Sequence, residues 1–223
     1  SISMDLIYGL PKQTTESFSQ TIDTIIGLKP DRISLFSYAH MPHLFKVQQQ
    51  IIASDLPSSR EKLTMLHLSI DTLQAAGYRY IGMDHFALPE DELAQAQDEG
   101  VLHRNFQGYS TRGGCDLLAF GVSAINQLDD TYAQNHKDIK SYQETLAANE
   151  LPLSKGLRLN CDDLIRKAVI NQLICHFAVQ FSVIERQFNI RFDEYFTDAL
   201  TQLQPLAEAN LCRIDTQGIR VTT

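Results

Sequence analysis

The chain contains no tryptophan and only four cysteines, and no two of these lie at a short CxxC-type spacing. Cys115, Cys161, Cys175 and Cys212 therefore form neither a short-spaced metal pattern nor a dense disulfide framework, and free thiols are expected. No apolar run approaches the ~20 residues that a membrane-spanning helix needs. No charged-then-apolar leader opens the residues, so a cytoplasmic setting and no membrane partner are expected. Basic residues are scarce: 19 Lys and Arg stand against 27 Asp and Glu, and the net charge of −8 disfavours broad contact with nucleic acid. What is plentiful is apolar: 43% of 223 residues, enough for one large core or two smaller ones.

Both ends read like interior segments. Ser1-Ile2-Ser3-Met4-Asp5-Leu6-Ile7-Tyr8-Gly9 starts inside a strand, and Gly218 to Thr223 stops inside one. The expectation is a piece of something longer. Ser3 to Tyr8 is nearly all apolar, the pattern of a parallel strand covered on both faces. Phe18, Ile22, Ile25 and Ile26 share one face of a helix expected over Thr15–Leu28, with Thr14 as N-cap and Gly27 with Pro30 as its stop. Arg32 to Ala39 is the next strand, which makes a βαβ unit with parallel strands. His40 to Leu56 is amphipathic. Ser58 and Glu61 form a capping box for a helix carrying Leu63, Leu66, Ile70 and Leu73, closed by Gly77. Tyr78–Met83 is a third strand running into Asp84-His85-Phe86, and Pro89–Gly100 an acidic surface helix.

The run His103-Arg104-Asn105-Phe106-Gln107-Gly108-Tyr109-Ser110-Thr111-Arg112-Gly113-Gly114 is dense in Gly, Asn, aromatic and hydroxyl residues. That composition reads as a loop whose backbone approaches a ligand. The apolar stretch Asp116–Ile125 behind it is expected to be buried. From about Ile139 the pattern is helical. Asn160 or Asp162 caps a long helix to Phe177, Ser182 and Glu185 form another capping box, and Phe192, Phe196, Leu200 and Leu203 mark a further helix. Leu211–Ile214 and Ile219–Val221, joined by Asp215–Gly218, read as a hairpin, so the end is winged-helix-like. Residues 160–223 hold six Lys and Arg against eight Asp and Glu, which speaks against a DNA-reading face.

Met4-Asp5-Leu6-Ile7-Tyr8-Gly9-Leu10-Pro11-Lys12-Gln13-Thr14, Phe36-Ser37-Tyr38-Ala39-His40-Met41-Pro42, Gly82-Met83-Asp84-His85-Phe86-Ala87 and His103–Thr111 together resemble the oxygen-independent coproporphyrinogen III oxidases (coproporphyrinogen dehydrogenases) of the radical S-adenosylmethionine superfamily. Related haem chaperones typically carry Asn-x-x-Tyr-Trp where this chain has Asn105-Phe106-Gln107-Gly108-Tyr109 and no tryptophan, which favours the oxidase. The resemblance implies an α/β fold: the last strands of a (β/α) radical-SAM barrel with a substrate-side loop over residues 1–135, then a helical domain with a hairpin over residues 136–223. It implies two S-adenosylmethionine molecules and a 4Fe-4S cluster held by CxxxCxxC, a motif this chain lacks. A 5′-deoxyadenosyl radical would take a β-hydrogen from a propionate, and loss of carbon dioxide and an electron would leave a vinyl group. Two such steps convert coproporphyrinogen III to protoporphyrinogen IX, with the protein supplying binding and orientation. The chain alone is then expected to be inactive, as the carboxy-terminal portion of such an enzyme.

By the same resemblance, Asp5 and Ala39 help hold the second S-adenosylmethionine and Ile125 packs against the first. A carboxylate such as Asp5 accepts hydrogen bonds from an ammonium or ribose hydroxyl. His103, Asn105, Gln107, Tyr109 and Arg112 are candidates for the porphyrinogen side, where an arginine would pair with a propionate. No metal ligand is assigned. Asp84 and His85 are a candidate acid–base pair, and His40 and His43 read as surface or capping residues. Two alternatives stand beside this reading. One is a non-catalytic, haem-chaperone-like relative ligating iron through His40, His43, His85 or His103. The other is a scaffold whose 160–223 segment binds a partner. An exposed edge at the first strand is expected to promote self-association.

Overall fold

The structure is a computed structural model that describes residues 1–222. Thr223, the last residue of the expected terminal strand, lies outside the described residues. Two compact units form, Ser1–Val101 and the residues from Leu102 onward.

In the first unit, β1 (Ser3–Tyr8) and β2 (Arg32–Ser37) pair in parallel on either side of α1 (Thr15–Leu28) in the chain. Thr14 caps α1 in a reciprocal box with Ser17, satisfying donors that a first turn leaves bare. The helix stops at Lys29 rather than at Gly27: Lys29 turns left-handed with φ 51°, and its N–H returns to the Ile25 and Ile26 carbonyls. The Ser58–Glu61 box opens α2 (Ser59–Ala75), and Gly77, at φ 93°, follows the cap and donates to the Gln74 carbonyl. The buried stripe of α2 is Met65, Ser69 and Leu73, with Leu66 and Ile70 at its edge and Leu63 exposed.

The expected third strand is two: β3 (Arg79–Gly82) and β4 (His85–Ala87), an antiparallel hairpin whose β4 lies between β2 and β3. The resulting sheet has the order β1-β2-β4-β3, so β1 is an edge strand. Its covered side packs Tyr8, Ile33, Leu35 and Phe86 against Phe18 and Ile22 of α1 and Met65 and Leu73 of α2. Contrary to the two-sided cover expected of β1, Ser3, Asp5 and Ile7 face outward and are exposed. Only alternate residues, ending in Tyr8, face the helices. His40–Leu56 buries no apolar helix face. It forms short 3₁₀ turns over Lys46–Gln50 and Ala53–Asp55, and Leu44, Phe45, Val47 and Ile52 remain exposed. α3 (Glu92–Asp98) is not merely superficial, since Leu93, Ala94 and Ala96 are buried. Asp91 caps it and binds Arg32 Nε at 2.8 Å, while Arg32 Nη2 reaches Glu92 at 2.8 Å.

The second unit opens with a hairpin of β5 (His103–Asn105) and β6 (Gly108–Ser110). A three-stranded sheet follows, β7 (Ile125–Leu128), β8 (Thr131–Asn135) and, after α4 (Ile139–Ala147), β9 (Leu153–Arg158). The strand β9 interrupts the stretch expected to be helical. The division expected at 135/136 falls between β8 and α4, within this unit. Asp116–Ile125 is not buried: Leu118 is 64% and Phe120 89% exposed, because the loop is held by backbone bonds such as Leu117 to Gln127 instead of by packing.

Asn160, rather than Asp162, caps α5 (Cys161–His176) in a box with Asp163. Then come β10 (Ala178–Gln180), α6 (Phe181–Phe188), α7 (Phe192–Tyr195), α8 (Thr197–Glu208), β11 (Cys212–Ile214) and β12 (Gly218–Val221). The expected Ser182–Glu185 box does not form. The Phe181 N–H bonds the Gln217 carbonyl and α6 starts two residues early, while the Glu185 carboxylate accepts from the Phe192 N–H. The expected hairpin is β11–β12, joined by β10 in the order β10-β12-β11. A Cβ at Gly218 would collide with the Val179 carbonyl oxygen, so this pairing needs glycine. Phe181 stacks on Phe192 at 4.1 Å, Phe192 meets Phe196 at 4.6 Å, and Ile165, Ile184 and Ile219 complete the core. No helix among the described residues is long and apolar enough to cross a membrane.

Candidate functional site

In the first unit, candidate residues gather at the exposed face of the sheet and at the carboxyl ends of its parallel strands. Asp5 pairs in register with Ser34, and Ile7 with Phe36, so all four project from one side. His85 lies opposite Ser34 and meets Phe36 edge-on at 6.1 Å. The face thus combines a carboxylate, an imidazole and two exposed apolar groups. Asp84 sits in the β3–β4 turn, where its carbonyl accepts from the Leu35 N–H at 2.7 Å.

Side-chain amides brace the turns that follow the strands. The Gln13 Oε1 accepts from Gly9 N at 2.6 Å and Leu10 N at 3.2 Å, and its Nε2 donates to the Ile7 carbonyl. Beyond β2, Gln48 donates to the carbonyl of exposed Ala39 at 3.1 Å, and Lys62 Nζ donates to the Tyr38 carbonyl at 3.3 Å. Beside these satisfied carbonyls, the Tyr38 hydroxyl and His40 Nδ1 are buried without a hydrogen-bond partner among the described residues. Leaving such atoms unpaired costs about 1–3 kcal/mol each, so they mark a place where a ligand's polar groups fit. His40, expected as a surface or capping residue, is half-buried and makes no cap through Nδ1, whereas His43 is exposed as expected. The orphaned atoms and the Asp5 carboxylate suit the mixed donors and acceptors of an amino-acid nucleoside.

In the second unit, the hairpin divides its residues between two faces. His103 pairs with Ser110 and Asn105 with Gly108 on one, while Arg104 pairs with Tyr109 on the other. Asn105 Oδ1 accepts from the Gln107 N–H at 2.8 Å, a local turn bond, and the Ser110 hydroxyl accepts from the Arg112 N–H. Tyr109 donates its hydroxyl to the Ile174 carbonyl at 3.1 Å, and Asn171 donates to the Arg104 carbonyl at 3.1 Å, which docks the hairpin on α5. Gln107 and Arg112 are exposed, and Ile125 is half-buried at the start of β7. Burial pushes the His103 pKa down, and the Lys167 charge adds to this, so neutral imidazole is favoured there.

Beside this hairpin lies a cavity of about 630 Å³ lined by Arg104, Phe106, Tyr132, Lys167, Asn171 and others. Arg104 lies 4.6 Å above the Tyr109 ring, and its Nη1 is buried without a hydrogen-bond partner among the described residues. Reasoning from the sequence assigned no role to Arg104 or Lys167, and it read His40 as a surface or capping residue or, in the haem-chaperone alternative, as an iron ligand. The aromatic neighbours of Arg104 in the run 103–112 were the one available signal. Among the described residues, no group of three or more His, Cys, Asp or Glu is placed to hold a metal ion. The four thiols do not match a cluster site either: Cys115 and Cys161 are exposed, Cys175 and Cys212 buried apart from them in the chain.

The fold has a counterpart in a solved structure titled "Coproporphyrinogen III oxidase (HemN) from Escherichia coli is a Radical SAM enzyme". It superposes with a TM-score of 0.96 at 51% identity, covering 99% of this chain and 51% of that one. The described fold is thus that of about half of a radical SAM protein. The HemN C-terminal domain profile matches residues 159–223. A protein of Pseudomonas aeruginosa named oxygen-independent coproporphyrinogen III oxidase is 54% identical over 223 residues, all of this chain and 48% of the relative. A Thermostichus vulcanus protein of the same name is 45% identical over 223 residues, all of this chain and 69% of the relative. The chain belongs to the oxygen-independent coproporphyrinogen III oxidase family. It spans about half the length of the Pseudomonas and Escherichia relatives, 48% and 49%.

Proposed function

We propose that the chain is the carboxy-terminal portion of an anaerobic haem-biosynthesis enzyme of the cytoplasm. That enzyme oxidatively decarboxylates two propionates of coproporphyrinogen III to vinyl groups, giving protoporphyrinogen IX. The observation that carries this reading is likeness along the whole chain, 54% identity over 223 residues, to a relative named for this oxidation. Residues 1–135 supply the last strands of a (β/α) barrel and the substrate-side loop, and residues 136–223 a helical, winged-helix-like domain.

Two S-adenosylmethionine molecules and a 4Fe-4S cluster supply radical chemistry when bound. Asp5 accepts hydrogen bonds from the ammonium or ribose hydroxyls of one of the two molecules. Ala39, small and exposed beside the orphaned Tyr38 hydroxyl and His40 Nδ1, leaves room for it at a strand's carboxyl end. Ile125 packs against the other. His103, Asn105, Gln107, Tyr109 and Arg112 form the porphyrinogen side; Tyr109, bonded to α5, orients the hairpin. The cluster ligands lie outside this chain, so the chain alone is inactive. The unpaired edge of β1 favours self-association of the isolated chain.

The test joins this chain to the part of its relatives that it does not span. The protein is reconstituted without oxygen with iron, sulfide and S-adenosylmethionine, then given coproporphyrinogen III. Protoporphyrinogen IX is the expected product. A protein that carries the cluster yet makes no product, and instead shifts the Soret band of added haem, would favour the non-catalytic haem-binding reading.

A further inference from the structure

The cavity between the β5–β6 hairpin, α5 and β8 is built unlike an ordinary surface cleft. Two cations, Arg104 and Lys167, line it, and neither takes part in a salt bridge among the described residues. Each is held over a tyrosine: Arg104 at 4.6 Å from the Tyr109 ring and Lys167 at 5.0 Å from the Tyr132 ring. Those contacts fix the positions of the cations without neutralising them. The Arg104 backbone is itself fixed through its carbonyl by Asn171. A third cation on the rim, Arg166, is already bound to Asp162 at 2.8 Å. The carboxylate on the rim, Asp163, accepts the Asn160 N–H in the cap of α5.

The remaining wall is apolar and aromatic. Phe106 meets Tyr132 edge-on at 5.2 Å, with Ile170 and Ile174 beside them. At about 630 Å³ the cavity is within the range that holds a drug-sized or cofactor-sized molecule. A pocket with unneutralised, pre-positioned cations and an apolar wall selects a flat apolar body bearing carboxylates. A buried guanidinium nitrogen with no acceptor is best satisfied by a bidentate carboxylate.

We infer that Arg104 and Lys167 form a carboxylate-recognition subsite that receives a propionate of a tetrapyrrole whose ring edge lies against Phe106 and Tyr132. The ligand's identity rests on the proposed function; the pairing of cations with an apolar wall does not. The subsite differs from the arginine expected for this role, Arg112, whose side chain is exposed.

The test uses coproporphyrin III, a stable fluorescent tetrapyrrole with four propionates, and its tetramethyl ester, which has the same ring and no charge. Fluorescence titration of the chain is expected to show binding of the acid and at least tenfold weaker binding of the ester. Arg104→Met and Lys167→Met are each expected to weaken the acid about tenfold, the loss of one charge-assisted pair, and to leave the ester unchanged. Lys140→Met, whose side chain is 83% exposed on α4 and does not line the cavity, is expected to leave both unchanged. Lys167→Met, at a half-buried helix position, carries the test should Arg104→Met unfold. Equal affinity for acid and ester, no binding of the acid, or unchanged affinity in folded Arg104→Met and Lys167→Met would overturn the subsite. Turnover of coproporphyrinogen III by the joined protein reports on the proposed function separately. Turnover with these binding results negative rejects the subsite alone, and a tenfold loss without turnover supports the subsite while rejecting the oxidase reading.

Discussion

The first unit covers one face of its sheet and leaves the other open, whereas the second seals an aromatic core. Ile7 is 45% and Phe36 39% exposed on the open face, while Phe192 is 1% and Ile184 0% exposed. Yet polar atoms are left unpaired in both units: Tyr38 and His40 at a strand end in the first, Arg104 beside a helix in the second. A one-sided sheet spends its apolar residues on its own helices and keeps its other face for something else. A sealed core leaves its chemistry to the hairpin docked on its outside.

Substitutions can break this contrast. The largest effect is expected from Phe192→Ala, which empties the centre of the Phe181–Phe192–Phe196 stack and should cost about 3–5 kcal/mol in urea unfolding. Hydrogen exchange should then lose protection in α5 to α8 and keep it in α1 and α2. Equal loss in both units would erase the contrast. Phe36→Ser on the open face should cost well under that, below about 1 kcal/mol.

Next comes Arg32→Met. It strands the Asp91 carboxylate, whose side chain is 3% exposed, and should cost about 3 kcal/mol, read from the same unfolding curves. A change near zero would mean that the Leu93 N–H satisfies Asp91 alone. Ser58→Ala should cost about 1 kcal/mol by removing the cap of α2.

A further effect is one of pH. Burial pushes the Cys175 thiol up from 9.0 to about 11, opposed by the Arg104 charge. The fold therefore holds this proton more tightly than the unfolded chain, and stability falls as pH rises from about 9 to about 11. Cys175→Ala should flatten the melting temperature across that window. At pH 8, iodoacetamide should label Cys115 and Cys161 well before Cys175.

Local signals carried much of the fold. The caps at Thr14, Ser58 and Asn160 involve residues three apart, so their patterns specify α1, α2 and α5 directly. Strand β4 has three residues, too few for a period to appear, and its place between β2 and β3 is decided by pairing partners far along the chain. The Ser182–Glu185 pattern failed because a tertiary bond from Phe181 to Gln217 moved the helix start. Apolar composition also misled at Leu118 and Phe120, since hydrophobicity states a tendency to be covered and not by what. At the site, Asp5 was readable as a carboxylate within a strand motif. The unpaired atoms of Tyr38, His40 and Arg104 were not, because lacking a partner is a property of three-dimensional surroundings.

The open sheet face that carries Asp5, with Ala39 just beyond the end of β2, is proposed to hold S-adenosylmethionine. The most direct measurement is isothermal titration of S-adenosylmethionine into the joined, cluster-loaded protein, wild type and Asp5→Asn. Two sites are expected in the wild type, and loss or at least tenfold weakening of one of them in Asp5→Asn. Two sites of unchanged affinity in the variant would overturn the role of Asp5.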